Sequence, residues 1–250
     1  KPTTFDISFD NVEFSYSGKK ILDDISVKIP QNQMTAIVGP SGAGKTTFCN
    51  LIARFWDVEK GEISIGKHNI KEYSLESLMR QISMVFQNVY LFQDTIENNI
   101  KFAKPDATHE EVIEAAKKAC CHEFIMKLPE QYETVIGEGG ASLSGGERQR
   151  ISIARAMIKN APIIIFDEAT ANVDPENEDK LQIAMEELTR DKTVIMIAHR
   201  LKTIKNANQI LVLANGKITQ QGTHEELIQA EGIYKNFVEA RQKAVNWKLS

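Results

Sequence analysis

The sequence predicts an α/β domain with a mostly parallel sheet core, an N-terminal antiparallel β-subdomain and an inserted α-helical subdomain. Three patterns carry that prediction. First, Phe5, Ile7 and Phe9 alternate, the phase slips at Asp10 and Asn11, and Val12, Phe14 and Tyr16 alternate again ahead of Ile25, Val27 and Ile29. Half-buried antiparallel strands read this way. Second, short continuous apolar runs follow, "MTAIVG", "PIIIF" and "TVIMIA", each bounded by turn formers, as expected of strands covered on both faces. Third, helical patterns lie between them, such as Leu181, Ala184, Met185 and Leu188 after Asp174-Pro175, and that alternation implies parallel strands with helices on both sides.

Taken in order, "ILVLANGKITQQG" sets Asn215-Gly216 between two strand-like runs and predicts a hairpin. Leu75, Leu78, Met79 and Ile82 have helical spacing, and a longer amphipathic stretch runs from Thr108 to Lys127, opened by the capping-box pair Thr108 and Glu111. The C-terminal "IYKNFVEARQKAVNW" reads as an amphipathic helix packed on this domain or its partner. Residues 88–159 form a mainly helical insertion.

A chain that is 42% hydrophobic and 26% charged is globular rather than disordered or fibrous. A net charge of -4, with the basic residues scattered, gives no electrostatic footprint for nucleic acid. Apolar runs such as Ile163 to Phe166 and Val194 to Ala198 fall far short of the ~20 residues of a membrane span. Cys49, Cys120 and Cys121 lack metal-like spacing and read as buried small hydrophobes in a reducing compartment.

"GPSGAGKTT", Gly39 to Thr47, follows a strand-like run and precedes the helix-like "FCNLIARF", the context a phosphate-binding G-x-x-x-x-G-K-[ST] loop requires. Glycines let successive N–H groups turn toward one centre, and the helix N-terminus adds positive partial charge there. Lys45 is placed to reach β and γ phosphates and the Thr46 hydroxyl to bind Mg²⁺. "PIIIFDEAT" ends an apolar strand in Asp167 and Glu168, so both carboxylates emerge where ligands bind in open α/β sheets. Asp167 suits Mg²⁺, and Glu168 suits orienting or deprotonating a water. His199 follows "TVIMIA" in the same manner and is placed to bond a γ-phosphate, while Gln87 ends "MVF" with an amide oxygen for Mg²⁺ or water. Outside this context an Asp-Glu pair is a helix cap or solvated turn, and a lone histidine is structural.

"LSGGERQR", Leu143 to Arg150, has the serine and paired glycines of an anion site but no lysine. Ser144, Gly145, Gly146 and Glu147 have capping-box spacing ahead of a helix whose Ile151, Ala154, Met157 and Ile158 form one apolar stripe. Two glycines opening a helix cost backbone entropy without a packing gain, which favours an anion arriving from outside.

These motifs, in this order and approximate spacing, resemble the ATP-binding cassette (ABC) ATPase domain, and the likeness covers nearly the whole chain. The resemblance implies a P-loop, RecA-like core at about 1–87 and 160–250 with a helical subdomain at about 88–159. It implies ATP and Mg²⁺ as ligands, with Gly39, Ser41, Gly42, Ala43, Gly44, Lys45, Thr46 and Thr47 as the phosphate cradle. Tyr16, in "FSYSG", matches the aromatic that stacks on adenine. Gln87 matches the residue that senses Mg²⁺ and contacts the membrane part, Glu168 the catalytic glutamate and His199 the switch histidine. "LSGGERQR" matches the family signature, in which Ser144, Gly145 and Gly146 close over the γ-phosphate of a second nucleotide-binding domain. "ANVD", Ala171 to Asp174, departs from the family's Ser-Ala-Leu-Asp-like loop at Ala171 and Val173.

Because the catalytic positions look intact, a homodimer with two working sites is expected, with a heterodimer as the alternative. "LFQDTIENNI" and "ETVIGEGGASLSGGE" resemble the exporter branch, which implies a Mg-dependent ATPase fused to a transmembrane domain before Lys1, at the cytoplasmic face of a cell membrane. A free-standing ABC ATPase subunit, serving metal-cluster assembly or a separate transporter, is the competing reading.

Overall fold

The computed structural model describes residues 4–86, 88–137, 141–167 and 175–248, with side chains throughout except at 175–176 and 243–248. The chain opens with β1 (Ile7–Tyr16), β2 (Lys19–Ile29) and β3 (Met34–Val38), and a loop leads into α1 (Lys45–Ile52). Then come β4 (Lys60–Ile65), β5 (His68–Asn69), α2 (Leu75–Gln81) and β6 (Ile82–Val85). The middle holds β7 (Asp94–Thr95), α3 (Ile96–Lys101), α4 (His109–Lys118), α5 (His122–Ile125), β8 (Val135–Ile136) and α6 (Gly145–Lys159). The last part alternates β9 (Ile163–Asp167), α7 (Pro175–Thr189), β10 (Thr193–Ile197), α8 (Leu201–Asn206) and β11 (Gln209–Ala214). It closes with β12 (Lys217–Gly222), α9 (His224–Gln229) and α10 (Ile233–Lys248).

The larger sheet has the order β12-β11-β3-β10-β9-β6, and β3 pairs in parallel with both β10 and β11. Within it β3, β9, β10 and β11 are buried almost end to end, as the continuous apolar runs predict, whereas β12 alternates between exposed and half-buried residues. The antiparallel sheet has the order β2-β1-β4-β5. The phase slip at Asp10 and Asn11 is a bulge inside β1, with Asn11 at φ 47 and a register shift between Phe9 and Val12. Such an extra residue restores the apolar face after the slip. Asn215 and Gly216 both have positive φ and join antiparallel β11 and β12, the hairpin their sequence predicts.

Two compact units divide the chain, one made of Lys1–Ile82, Ile165–Glu168 and Asp191–Ser250, the other of Ser83–Ile164 and Ala169–Arg190. In the second, α6 is packed by α3, α4 and α7. Buried Arg150 on α6 donates from Nη1 to Asn177 Oδ1 on α7 at 2.7 Å and lies over the Phe124 ring, while its Nε finds no acceptor among the described residues, so the charge is compensated only in part where it leaves water. Leu181, Ala184, Met185 and Leu188 are all buried on α7. No helix among the described residues is long and apolar enough to cross a membrane.

The structure corrects four sequence expectations. The Thr108 to Lys127 stretch is two helices, because Cys120 takes a left-handed φ of 54 after α4 and α5 restarts beyond it. Cys120 is consequently half-buried, whereas Cys49 and Cys121 are buried. On α2 only Leu78 is fully buried; Leu75 is 57% exposed and Ile82 already opens β6. On α6 the buried face turns through Ile151, Ile153, Ala154 and Ala156, leaving Met157 and Ile158 half-buried.

Phe9 on β1 stacks on Phe48 of α1 with centroids 4.2 Å apart, both fully buried. This pair fastens the antiparallel sheet to the helix that follows the phosphate loop. Phe9→Ala is expected to lower the unfolding free energy of the chain by about 3–5 kcal/mol, read as a drop in the urea midpoint.

Candidate functional site

The loop between β3 and α1 is shaped by two close approaches. At Gly39, φ is 154 and a Cβ would sit 2.0 Å from the Leu213 carbonyl oxygen of β11. At Gly44, φ is 99 and a Cβ would come within 2.8 Å of Leu22 Cδ2 on β2. No side chain fits either point, so glycine is what allows the loop to pass between β11 and β2. Gly44 is also the N-cap of α1, and it supplies no side-chain cap. By contrast, Ser74, Thr95, Thr108, Ser144 and Thr223 each cap their helix by accepting a backbone N–H. The first N–H groups of α1 therefore stay available, with the helix's positive end behind them. Lys45 Nζ donates to the carbonyls of Gly39 at 2.9 Å and Pro40 at 2.8 Å, which folds the ammonium back over the loop it serves.

Asp167 ends β9, and His199 follows β10 by two residues, β9 and β10 being neighbours in the sheet. Burial pushes the Asp167 carboxyl above its usual value, against the opposing pull of His199 and Lys45. Burial likewise lowers the Lys45 ammonium below its usual value; Asp167 opposes that shift and the Arg241 guanidinium adds to it. Lys45, Asp167, His199 and Arg241 thus form one electrostatic neighbourhood around the loop. Thr46 is exposed beside it and Thr47 is buried. The exposed hydroxyl of Thr46 and the half-buried carboxylate of Asp167 are hard oxygen donors of the kind Mg²⁺ takes. Gln87, Glu168 and the Ala171 to Asp174 loop lie outside the described residues.

Tyr16 ends β1 opposite Lys19, on the β2 strand whose Ile21 and Leu22 touch Gly44. Its ring meets Phe14 edge-on at 4.8 Å and Trp56 edge-on at 5.3 Å. Trp56, 52% exposed, is a neighbour of Tyr16 that spacing along the chain does not reveal. In the second unit, Ser144 Oγ accepts from Glu147 N–H and the Glu147 carboxylate accepts from Ser144 N–H, a complete capping box. A Cβ on exposed Gly145 would meet nothing within 4 Å. Packing among the described residues does not call for a glycine there. The remaining histidines are engaged elsewhere, His68 with Glu72, His109 with Glu97, His122 with Tyr132 and His224 with Tyr234. Arg241 was reached by no motif; its segment shows only amphipathic spacing.

A glycine-shaped loop, an uncapped helix start and a lysine beside a strand-end aspartate define a nucleotide-phosphate site of the P-loop class. The ABC transporter family model matches residues 22–171, and the chain belongs to that family, as its ATP-binding ATPase domain. It is 49% identical over 238 residues to an ATP-dependent lipid A-core flippase of Haemophilus influenzae, covering 94% of this chain and 40% of the relative. A lipid A-core flippase of Desulfotalea psychrophila is 52% identical over 229 residues, covering 92% and 40% respectively. Among solved structures, a bacterial Atm1-family ABC exporter with ATP bound superposes with a TM-score of 0.90 at 41% identity, over 97% of this chain and 42% of that one. The chain spans about two-fifths of the length of these relatives.

The Asp167 shift has a signed consequence. Its folded pKa lies above the unfolded value, so the ionised carboxylate works against folding at neutral pH and the cost is relieved as pH falls through the folded pKa. Asp167→Asn is therefore expected to raise the urea midpoint of the nucleotide-free chain at pH 7 in EDTA, and the gain over wild type is expected to shrink toward acid pH.

Proposed function

We propose that this chain is the ATP-hydrolysing motor of an exporter, working as one of two nucleotide-binding domains joined to a transmembrane domain that precedes Lys1. The observation that carries the reading is the meeting of Lys45, Asp167 and His199 beside the uncapped start of α1. Gly39, Ser41, Gly42, Ala43, Gly44, Lys45, Thr46 and Thr47 cradle the phosphates of ATP, and Tyr16 stacks on adenine. Lys45 exchanges its two loop carbonyls for β- and γ-phosphate oxygens, an exchange of neutral acceptors for charged ones. Thr46, Asp167 and Gln87 hold Mg²⁺, which when bound neutralises phosphate charge. Glu168, next in the chain after Asp167, orients and deprotonates the attacking water, and His199 bonds the γ-phosphate.

Ser144, Gly145 and Gly146 act on the nucleotide of a second copy. The open space over Gly145 supports this, because a phosphate and its cradle need room there that the chain's own packing leaves free. ATP then draws two domains together, and hydrolysis with phosphate release lets them part. The flippase and exporter names of the relatives support outward transport, which puts the domain at the cytoplasmic face of a membrane; the intact catalytic motifs support two identical copies in the assembly.

Glu168→Gln is expected to cut steady-state phosphate release by about 10²-fold or more while leaving ATP affinity near wild type. Turnover of Glu168→Gln within a few-fold of wild type removes the role assigned to Glu168.

A further inference from the structure

α10 runs along the first unit in a defined register. Tyr234 is fully buried, its N–H donates to Gln220 Oε1 at 3.0 Å on β12, and its hydroxyl lies 2.7 Å from His224 Nδ1 at the start of α9. Val238, one turn on, is also fully buried. Positions 234, 238 and 241 share one helix face, so this anchoring dictates where residue 241 points. Arg241 lies over the Phe237 ring at 4.5 Å, and its Nη1 donates to the backbone carbonyl of His199. The segment it grips joins β10 to α8, and α8 starts without a side-chain cap at Arg200. Its Arg241 anchor comes from the far end of the chain.

We infer that Arg241 is a positioning residue for hydrolysis: its bond to the His199 carbonyl holds the His199 side chain at the γ-phosphate position and ties the C-terminal helix to the turnover step. The inference rests on the role given to His199 above. A bidentate-capable, permanently charged donor braced on an aromatic face is a rigid means of fixing one backbone carbonyl. A displacement of His199 by a fraction of an ångström falls on the transition state more than on ground-state nucleotide binding. The expected signature is a loss in kcat at nearly constant KM.

The test compares Arg241→Met and Arg241→Lys in the full chain, with His199→Ala alongside, each assayed for ATPase kinetics and melting temperature. Methionine keeps the apolar contact with Phe237 and removes the donor, whereas lysine keeps a charged donor on a flexible stem of similar reach. Arg241→Met is expected to lower kcat about 3–10-fold with KM within two-fold of wild type, and Arg241→Lys to retain more than half of the wild-type kcat. Equal losses in both variants, or a raised KM at unchanged kcat, overturn the inference. If Arg241→Met does not fold, Arg241→Lys decides alone, since a normal melting curve with kcat below half of wild type contradicts anchoring by a donor. Full turnover in His199→Ala instead removes the reading of His199 itself, whatever Arg241 does.

Discussion

The nucleotide end of the molecule depends on one constraint, the passage of the phosphate loop between β11 and β2 with its backbone turned outward. A Cβ at Gly39 would run into Leu213 O, and one at Gly44 into Leu22. With both absent, the loop sits tight against the sheet and α1 begins without a cap. The starts of α2, α3, α4, α6 and α9 each spend a Ser or Thr hydroxyl on a backbone N–H. The start of α1 leaves its N–H groups for a phosphate. Around them the charged groups are buried at a cost that Lys45, Asp167 and His199 offset only in part for one another. Lys45 and Asp167 are each pushed toward neutrality by burial, and Lys45 has Arg241 as a like-charged neighbour. Preorganised charge of this kind does not have to reorganise when the γ-phosphate bond breaks.

The signature helix shows the complementary arrangement. α6 is capped within the chain by Ser144 and Glu147, and is held by Arg150 and by packing against α3, α4 and α7. Its first glycine faces open space. One unit thus presents a cradle with its own lysine, and the other presents a capped, unobstructed helix start with none. In the proposed assembly, two copies facing head to tail would each supply what the other lacks.

Most of this was legible because the chemistry is local in the chain. The phosphate loop is a strand, a glycine-rich turn and a helix in immediate succession, and Asp167 and His199 are each found by counting off the end of an apolar strand. The bulge in β1 was legible for the same reason, as a slip in a two-residue period. What escaped depends on tertiary register or on single backbone conformations. Cys120 breaks the Thr108 to Lys127 stretch by adopting a left-handed φ that its residue type does not announce. Leu75 keeps helical spacing yet faces solvent because α2 is too short to bury more than Leu78. Trp56 reaches Tyr16, and Arg241 reaches His199, across the fold rather than along the chain.

The central claim is that each phosphate loop works with the signature helix of another copy, and mixing two inactive chains tests it most directly. Lys45→Ala disables the cradle. Gly145→Glu places a carboxylate in open space at a helix start, where it suits the helix but repels phosphate. Each variant alone is expected to hydrolyse ATP at background rate. In an equal mixture half the dimers are mixed and each has one intact site of two, so about a quarter of wild-type turnover is expected to return. A mixture no more active than its separate components contradicts the account, because the cradle and signature would then belong to the same chain.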